Sequence, residues 1–209
     1  QLCTQGKFRN AGQVCISPTR FFIEESIHDQ FLKAFKKHVE AVNIGNGLDA
    51  GVNMGPLVAD RRLDIMEGFV SNAVSEGAEL LVGGERVQSS GSFYQPTLLA
   101  NVPDSAQIMT EEPFGPIAPT ATFASLDEVI DRANSLPFGL AAYAFTGSPK
   151  TAGALKTEIE SGMLAINSLH IHSVETPFGG LKNSGYGYEG GIEGLEAFLA
   201  TKYSSEVYT

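Results

Sequence analysis

Apolar and polar positions along this chain switch repeatedly between a strand-like and a helix-like period. Residues 18–25, centred on Phe21, Phe22 and Ile23, read as a strand. Ser26 then stands where a helix cap belongs, ahead of Ile27, Phe31, Phe35, Val39 and Val42 at helical spacing. The Gly- and Asn-rich stretch from Asn43 to Pro56 reads as a loop. Asp60 is placed to cap a second helix running to Ser75, and Glu79–Val82 is a short strand stopped by Gly83 and Gly84. After a polar turn at Ser89–Ser92, Tyr94–Val102 is extended and Ile117–Phe123 forms the next strand. Ser125 caps a helix carrying Leu126, Val129, Ile130 and Ala133. Leu140–Phe145 reads as a buried strand, residues 148–160 as a helix and Met163–Asn167 as a strand. A glycine-rich structured loop from Phe178 to Gly194 and an edge strand at Tyr203–Tyr208 complete the chain. This alternation predicts an α/β layered domain over residues 1–209, with no internal repeat, linker or boundary.

Composition narrows the function classes. Of 209 residues, 43% are hydrophobic and 18% charged, so a packed core is expected rather than disorder. The net charge of −10 argues against nucleic acid and against an anionic membrane surface, both of which need basic patches. The one dense basic cluster, Lys33, Lys36 and Lys37, fits the solvated face of a helix. No apolar run reaches the ~18 residues of a membrane span, and the first residues lack the pattern of a signal peptide. Two cysteines build no disulfide framework, and His170 and His172 lack the company that a metal site needs, so no metal is expected. A cytoplasmic setting follows from these features. Without an initiating Met, the chain is expected to be a fragment or a processed product.

Candidate chemistry centres on Cys15, inside Phe8-Arg9-Asn10-Ala11-Gly12-Gln13-Val14-Cys15. Arg9 and Arg20 stand on either side of it in sequence. A thiol near fixed positive charge and free backbone N–H groups can be held as the nucleophilic thiolate. A lone cysteine in such a chain is also commonly a buried structural residue, and at this level both readings stand.

Two further motifs tip the balance. Glu112-Pro113-Phe114-Gly115-Pro116 follows 97 residues after Cys15, and Pro177-Phe178-Gly179-Gly180-Leu181-Lys182-Asn183-Ser184-Gly185 places Phe178 163 residues after it. Together the three segments resemble, in order and in spacing, the conserved motifs of the NAD(P)-dependent aldehyde dehydrogenases. The resemblance runs from about Gly6 to the C-terminus and implies a mostly parallel sheet flanked by helices. It implies that Cys15 is the nucleophile, with Asn10 beside it in the catalytic loop. A thiolate adds to the aldehyde, hydride leaves to the nicotinamide, and water hydrolyses the resulting thioester. The backbone N–H of Cys15 would be one oxyanion donor. NAD or NADP is the implied cofactor, with Glu112 on the nicotinamide ribose hydroxyls and Phe114 packed near the ribose–nicotinamide end. Asn167 would organise the site, and the loop from about Leu169 to Phe178 would line the aldehyde tunnel.

Within that resemblance Arg9 is nearest to the succinic-semialdehyde group, where an Arg at this position grips a distal carboxylate. His172, Ser173 and Phe178 complete the substrate-binding set. His172 departs from that group, which commonly has Ser there, and Ser17 stands where some of its members carry a second cysteine. Nothing in the chain matches the Glu-Leu-Gly-Gly segment that carries the family's general base, and no GxGxxG is present. The cofactor-binding domain is therefore expected to be an N-terminal partner absent from this chain, the isolated domain to be inactive or nearly so, and residues 203–208 to join another subunit in a homo-oligomer. Two rivals remain: a cysteine hydrolase using Cys15 with His170 or His172, and a non-catalytic scaffold of the same fold.

Overall fold

The computed structural model describes residues 1–87 and 91–209. The expected polar turn at Ser89–Ser92 begins among residues 88–90, which lie outside the described residues.

The chain opens with helix α1 (Leu2–Phe8) and a 3₁₀ turn at Arg9–Gly12. Strand β1 (Phe21–Glu24) leads through a short 3₁₀ turn into α2 (His28–Glu40). Helix α3 (Arg61–Ser75), β2 (Glu79–Val82), β3 (Thr97–Ala100), the single turn α4 (Gln107–Thr110) and β4 (Ile117–Phe123) follow. The second half comprises α5 (Leu126–Asn134), β5 (Phe138–Gly139), β6 (Ala141–Ala144), α6 (Pro149–Glu158), β7 (Met163–Ile166), β8 (Leu181–Lys182) and α7 (Gly191–Glu196).

The main sheet has the order β1-β4-β3-β2. β4 is parallel to both neighbours, with Phe21 opposite Thr120 and Thr97 opposite Ile117, while β2 joins antiparallel at the edge. Residues 117–121 of β4 are all buried, as suits a strand enclosed on both faces. Its buried hydroxyl, Thr120, donates to Leu99 O at 2.8 Å, so no polar atom there is left unpaired. Helix α2 supplies Phe35, packed 5.4 Å from Phe21 and 5.5 Å from Phe31. Burial of each such side chain contributes roughly 1.5–3 kcal/mol. β6 and β7 form a second, parallel pair, with Ala141 opposite Met163. The sheet is thus mostly parallel and flanked by helices, as expected.

Several local expectations change. Ser26 does not cap α2; its hydroxyl donates to Glu24 at 3.1 Å, and a 3₁₀ turn at Glu25–Ile27 intervenes. Asp60 makes no cap hydrogen bond to α3, because it already has helical φ and ψ and its carboxylate accepts from Ser92. By contrast, Ser125 and Ser148 do cap α5 and α6, accepting from Glu128 N and Thr151 N. The strand expected at Leu140–Phe145 is half-buried, since it belongs to a two-stranded pair rather than to the main sheet. Residues 203–208 lie in no strand of this chain and are exposed. No helix among the described residues is long and apolar enough to cross a membrane.

Candidate active site

Cys15 sits on a tight turn, Val14–Ser17, closed by Ser17 N donating to Val14 O at 2.9 Å. Its side chain is exposed. The chain reaches it through three consecutive residues with positive φ: Asn10 (52°), Ala11 (53°) and Gly12 (71°). Such a run is costly for L-residues and persists only where surrounding contacts enforce it. Those contacts are visible. Asn10 Nδ2 donates to Gln13 O at 2.9 Å, and Gln13 Nε2 returns a bond to Asn10 O at 3.1 Å. Gln13 also ties the turn to a distant loop, accepting from Val58 N at 2.9 Å and donating to Pro56 O at 3.3 Å. The amide of Asn10 is thus engaged in shaping the turn.

Gly12 brings the second motif to the first. A Cβ on Gly12 would lie 2.2 Å from Gly115 O and 3.2 Å from Lys7 O. The Cys15 turn and the Glu112–Pro116 segment therefore touch backbone to backbone. Arg62, on α3, donates to the carbonyls of Pro113 and Phe114 and holds that segment from the side. This leaves Glu112 exposed and turns Phe114, at φ 42°, outward with 38% of its surface exposed. An outward carboxylate next to an outward aromatic ring suits a ligand with a diol and a flat ring.

On the other side of the Cys15 turn lies a cavity of about 230 Å³. Its wall includes Arg9, Tyr143, His170 and His172, with Val14 and Ile16 from the turn itself. Tyr143 fastens β6 to the turn by donating to Ile16 O at 2.8 Å. Burial pushes its phenol up to about 12, with Arg9 pulling it down and Cys15 pushing it up. The His170 and His172 rings stack 6.2 Å apart, and Phe178 meets His172 edge-on at 5.7 Å. Arg9 and His172 thus share one cavity, with Phe178 behind the histidine. Ser173 is not on that wall; its backbone bonds Thr176, and its hydroxyl helps hold the Glu175 carboxyl below the usual range. Asn167, at φ 57°, clamps Thr146 with two bonds of 2.8 and 2.9 Å and so fixes the end of β7.

Arg20 does not flank the thiol in space. It donates to the carbonyls of Arg132 and Ala133 at the end of α5, both at 2.9 Å, and stacks on Phe22. Cys3 is partly buried, and burial pushes its thiol up, away from the reactive form.

Lys7, Gln13, Arg62 and Tyr143 escaped the sequence reading. Lys7 is the most unusual. It is fully buried, and its Nζ has no hydrogen-bond partner among the described residues. Burial draws its ammonium down to about 7, against the opposing charge of Glu112. Because the unfolded chain holds this proton up to about 10.5, unfolding takes up a proton between those values. Folding stability should therefore rise as pH is raised from 7 toward 10, and Lys7→Met should remove that part of the slope. Denaturant melts of both proteins across this range test it; equal slopes would refute the assignment.

Comparison with known proteins gives the family and the fold. A model of the aldehyde dehydrogenase family matches residues 1–204. The chain is 46% identical over 202 residues to 4-(hydroxymethyl)benzenesulfonate dehydrogenase of Comamonas testosteroni, covering 97% of this chain and 42% of that protein. It is 40% identical over 198 residues to the mitochondrial succinate-semialdehyde dehydrogenase of Rattus norvegicus, covering 94% of this chain and 38% of that one. Among solved structures, an aldehyde dehydrogenase from Brucella melitensis superposes with a TM-score of 0.96 at 36% identity, covering 99% of this chain and 42% of that one. The betaine aldehyde dehydrogenase of Staphylococcus aureus, solved with NAD+, gives 0.91 at 35% identity, covering 96% and 41%. The chain spans about two fifths of the length of these relatives.

Proposed function

The chain belongs to the aldehyde dehydrogenase family, and from that premise we propose that it is the catalytic domain of an enzyme oxidising an aldehyde to a carboxylic acid with NAD or NADP. The observation that supports this most is the close approach of Gly12 to Gly115, which holds the Cys15 turn against the Glu112 segment. Cys15, exposed on its turn, adds to the aldehyde carbon. The Cys15 N–H donates to the oxyanion that forms, a task suited to a donor fixed before reaction begins. Asn10 shapes the turn that presents both groups. NAD or NADP, when bound, would supply the hydride acceptor. Glu112 would hold it by accepting hydrogen bonds from the ribose hydroxyls, and Phe114 would pack near its nicotinamide end. The thioester on Cys15 is then hydrolysed by water with a base from outside this chain. The remaining length of the relatives would hold that base and the cofactor-binding domain.

The cavity supports an aldehyde with a distal anion. Arg9 presents a guanidinium to the cavity, and a carboxylate or sulfonate is its natural partner. Two of the relatives described above, the benzenesulfonate and the succinate-semialdehyde dehydrogenases, are named for compounds carrying such a group. His172 forms the wall beside it with Phe178 packed edge-on behind the ring, and Ser173 acts by holding the loop. In the full-length enzyme, Arg9→Met should lower kcat/KM for succinic semialdehyde by about ten- to a hundredfold, the worth of one charge-assisted bond. An uncharged aldehyde of similar length should change little. Equal losses for both aldehydes would refute the anion role.

The exposed apolar residues Phe198, Tyr203, Val207 and Tyr208 support a homo-oligomer in which this segment docks on a second subunit. Two free thiols, one exposed, suit a reducing compartment such as the cytoplasm.

A further inference from the structure

The peptide groups around Cys15 are hydrogen-bonded in series. Tyr143 lies on β6, opposite Ala165 of β7, and its hydroxyl crosses to the Cys15 turn, donating to Ile16 O at 2.8 Å. The nitrogen of that same peptide group is Ser17 N, which donates to Val14 O at 2.9 Å. The nitrogen of the Val14 peptide group is in turn Cys15 N. Its N–H donates to no acceptor among the described residues, so the series ends on a free donor beside the thiol.

Every link in this series runs the same way. Resonance couples the two ends of an amide, so a hydrogen bond accepted at the oxygen makes the N–H a stronger donor. The phenol polarises the Ile16–Ser17 peptide, and that peptide polarises the Val14–Cys15 one. The turn itself leaves the last donor free, because the bond that closes it runs from Ser17 to Val14 and bypasses Cys15. Burial pushes the Tyr143 phenol up to about 12, so it keeps its proton and stays a donor at neutral pH and well above it. Gln13 braces the turn on the other side of Cys15, through Val58 N and Pro56 O, but supplies no link to the series.

We propose that Tyr143 is a positioning residue for the oxyanion, its hydroxyl heading a relay of peptide groups that aims and strengthens the Cys15 N–H. The hydroxyl acts through the backbone, not on the substrate, the cofactor or the sulfur. The proposal rests on the oxyanion role given above to the Cys15 N–H. One donor at an oxyanion is worth about 10²–10³ in rate. Polarisation along a chain strengthens a bond by about 10–30%, so loss of the first link should cost about two- to eightfold.

The test uses the full-length enzyme and trifluoroacetophenone. The Cys15 sulfur bonds to the ketone carbon as the C=O π pair moves to oxygen, and with no hydrogen on that carbon the adduct goes no further. The Ki of the ketone therefore reads oxyanion stabilisation. Alkylation of Cys15 by iodoacetamide, which forms no oxyanion, reads the thiol alone. Tyr143→Phe keeps the ring and removes the hydroxyl; it should raise Ki about two- to eightfold and leave the alkylation rate unchanged. A meta-fluorotyrosine at position 143, a stronger donor of nearly the same size, should lower Ki below wild type. A crystal structure of the wild-type adduct shows whether its oxygen lies within hydrogen-bond reach of Cys15 N. An oxygen held elsewhere overturns the role of the Cys15 N–H and the proposal with it. An oxygen on Cys15 N, with Ki unchanged in Tyr143→Phe, overturns the Tyr143 proposal alone. Alkylation slowed in step with Ki, a fluorinated variant that binds the ketone no tighter, or failure of Tyr143→Phe to fold would show that the hydroxyl only braces the turn, and each would also overturn it.

Discussion

Cys15→Ser in the full-length enzyme should abolish aldehyde oxidation, with a loss of at least roughly four orders of magnitude in kcat/KM, or about 5.5 kcal/mol of transition-state stabilisation. The covalent step needs a thiolate, and a serine hydroxyl on the same turn has no adjacent base to activate it. Because Cys15 is exposed and its side chain makes no hydrogen bond among the described residues, the variant should melt like wild type and bind the cofactor normally. Cys3→Ser is the control. That thiol is partly buried and pushed toward its neutral form, so activity should be retained. Loss of activity in Cys3→Ser with activity kept in Cys15→Ser would overturn the assignment of the nucleophile.

What the sequence could reveal follows from the range of the interactions involved. The bounds of β4 were legible because Ile117–Phe123, rich in β-branched residues, is set off by Gly115-Pro116 before it and Ser125 after it. α5 and α6 were legible because their starts are set locally: the hydroxyls of Ser125 and Ser148 each accept from a backbone N–H three residues on. Ser26 and Asp60 have the right residue type, yet their side chains are engaged elsewhere, by Glu24 and Ser92, and no local pattern announces that. α1 left no signal either. It has no side-chain cap and carries a glycine at position 6, and it is held by the burial of Thr4, Lys7 and Phe8. A Cβ on Gly6 would lie 2.6 Å from Leu169, so the helix depends on a loop far along the chain.

The site divides in the same way. Cys15, Glu112 and Phe178 belong to motifs, and the resemblance of those motifs to the aldehyde dehydrogenases implied a common purpose. The structure adds the contact that joins the first two, the cavity that joins Arg9 to His172, and Tyr143, which reaches Ile16 across 127 positions of sequence. The expected electrostatic help from Arg20 failed for a similar reason. Sequence neighbours of a turn residue can point anywhere, and Arg20 spends its donors on the Arg132 and Ala133 carbonyls in the last turn of α5. The buried cation beside that turn is Lys7, a residue type almost never buried without a partner.

Gly12→Ala should cripple both stability and catalysis. Its φ of 71° costs an L-residue about 1–2 kcal/mol. The added Cβ would also stand 2.2 Å from Gly115 O and 2.6 Å from Gly115 C, closer than any real contact. Both atoms are backbone, so no side chain can swing away; the Cys15 turn and the Glu112 segment must separate. Forced overpacking of this kind costs about 1–3 kcal/mol more. A total near 3 kcal/mol corresponds to a melting temperature lower by about 6–12 °C for a domain of this size. Activity should fall further than stability implies. The nucleophile and the ribose carboxylate are carried by the two segments being pushed apart, and a misplacement of about 1 Å can cost about a hundredfold in rate. The expected result in the full-length enzyme is therefore a kcat lower by about two orders of magnitude at temperatures where the variant is still folded. Ala11, the preceding residue, already has a positive φ, so the backbone conformation alone does not forbid a methyl group. Gly12→Ala with wild-type melting and a kcat within twofold of wild type would show that the two segments are not held by this contact, and the shared site built on it would fall.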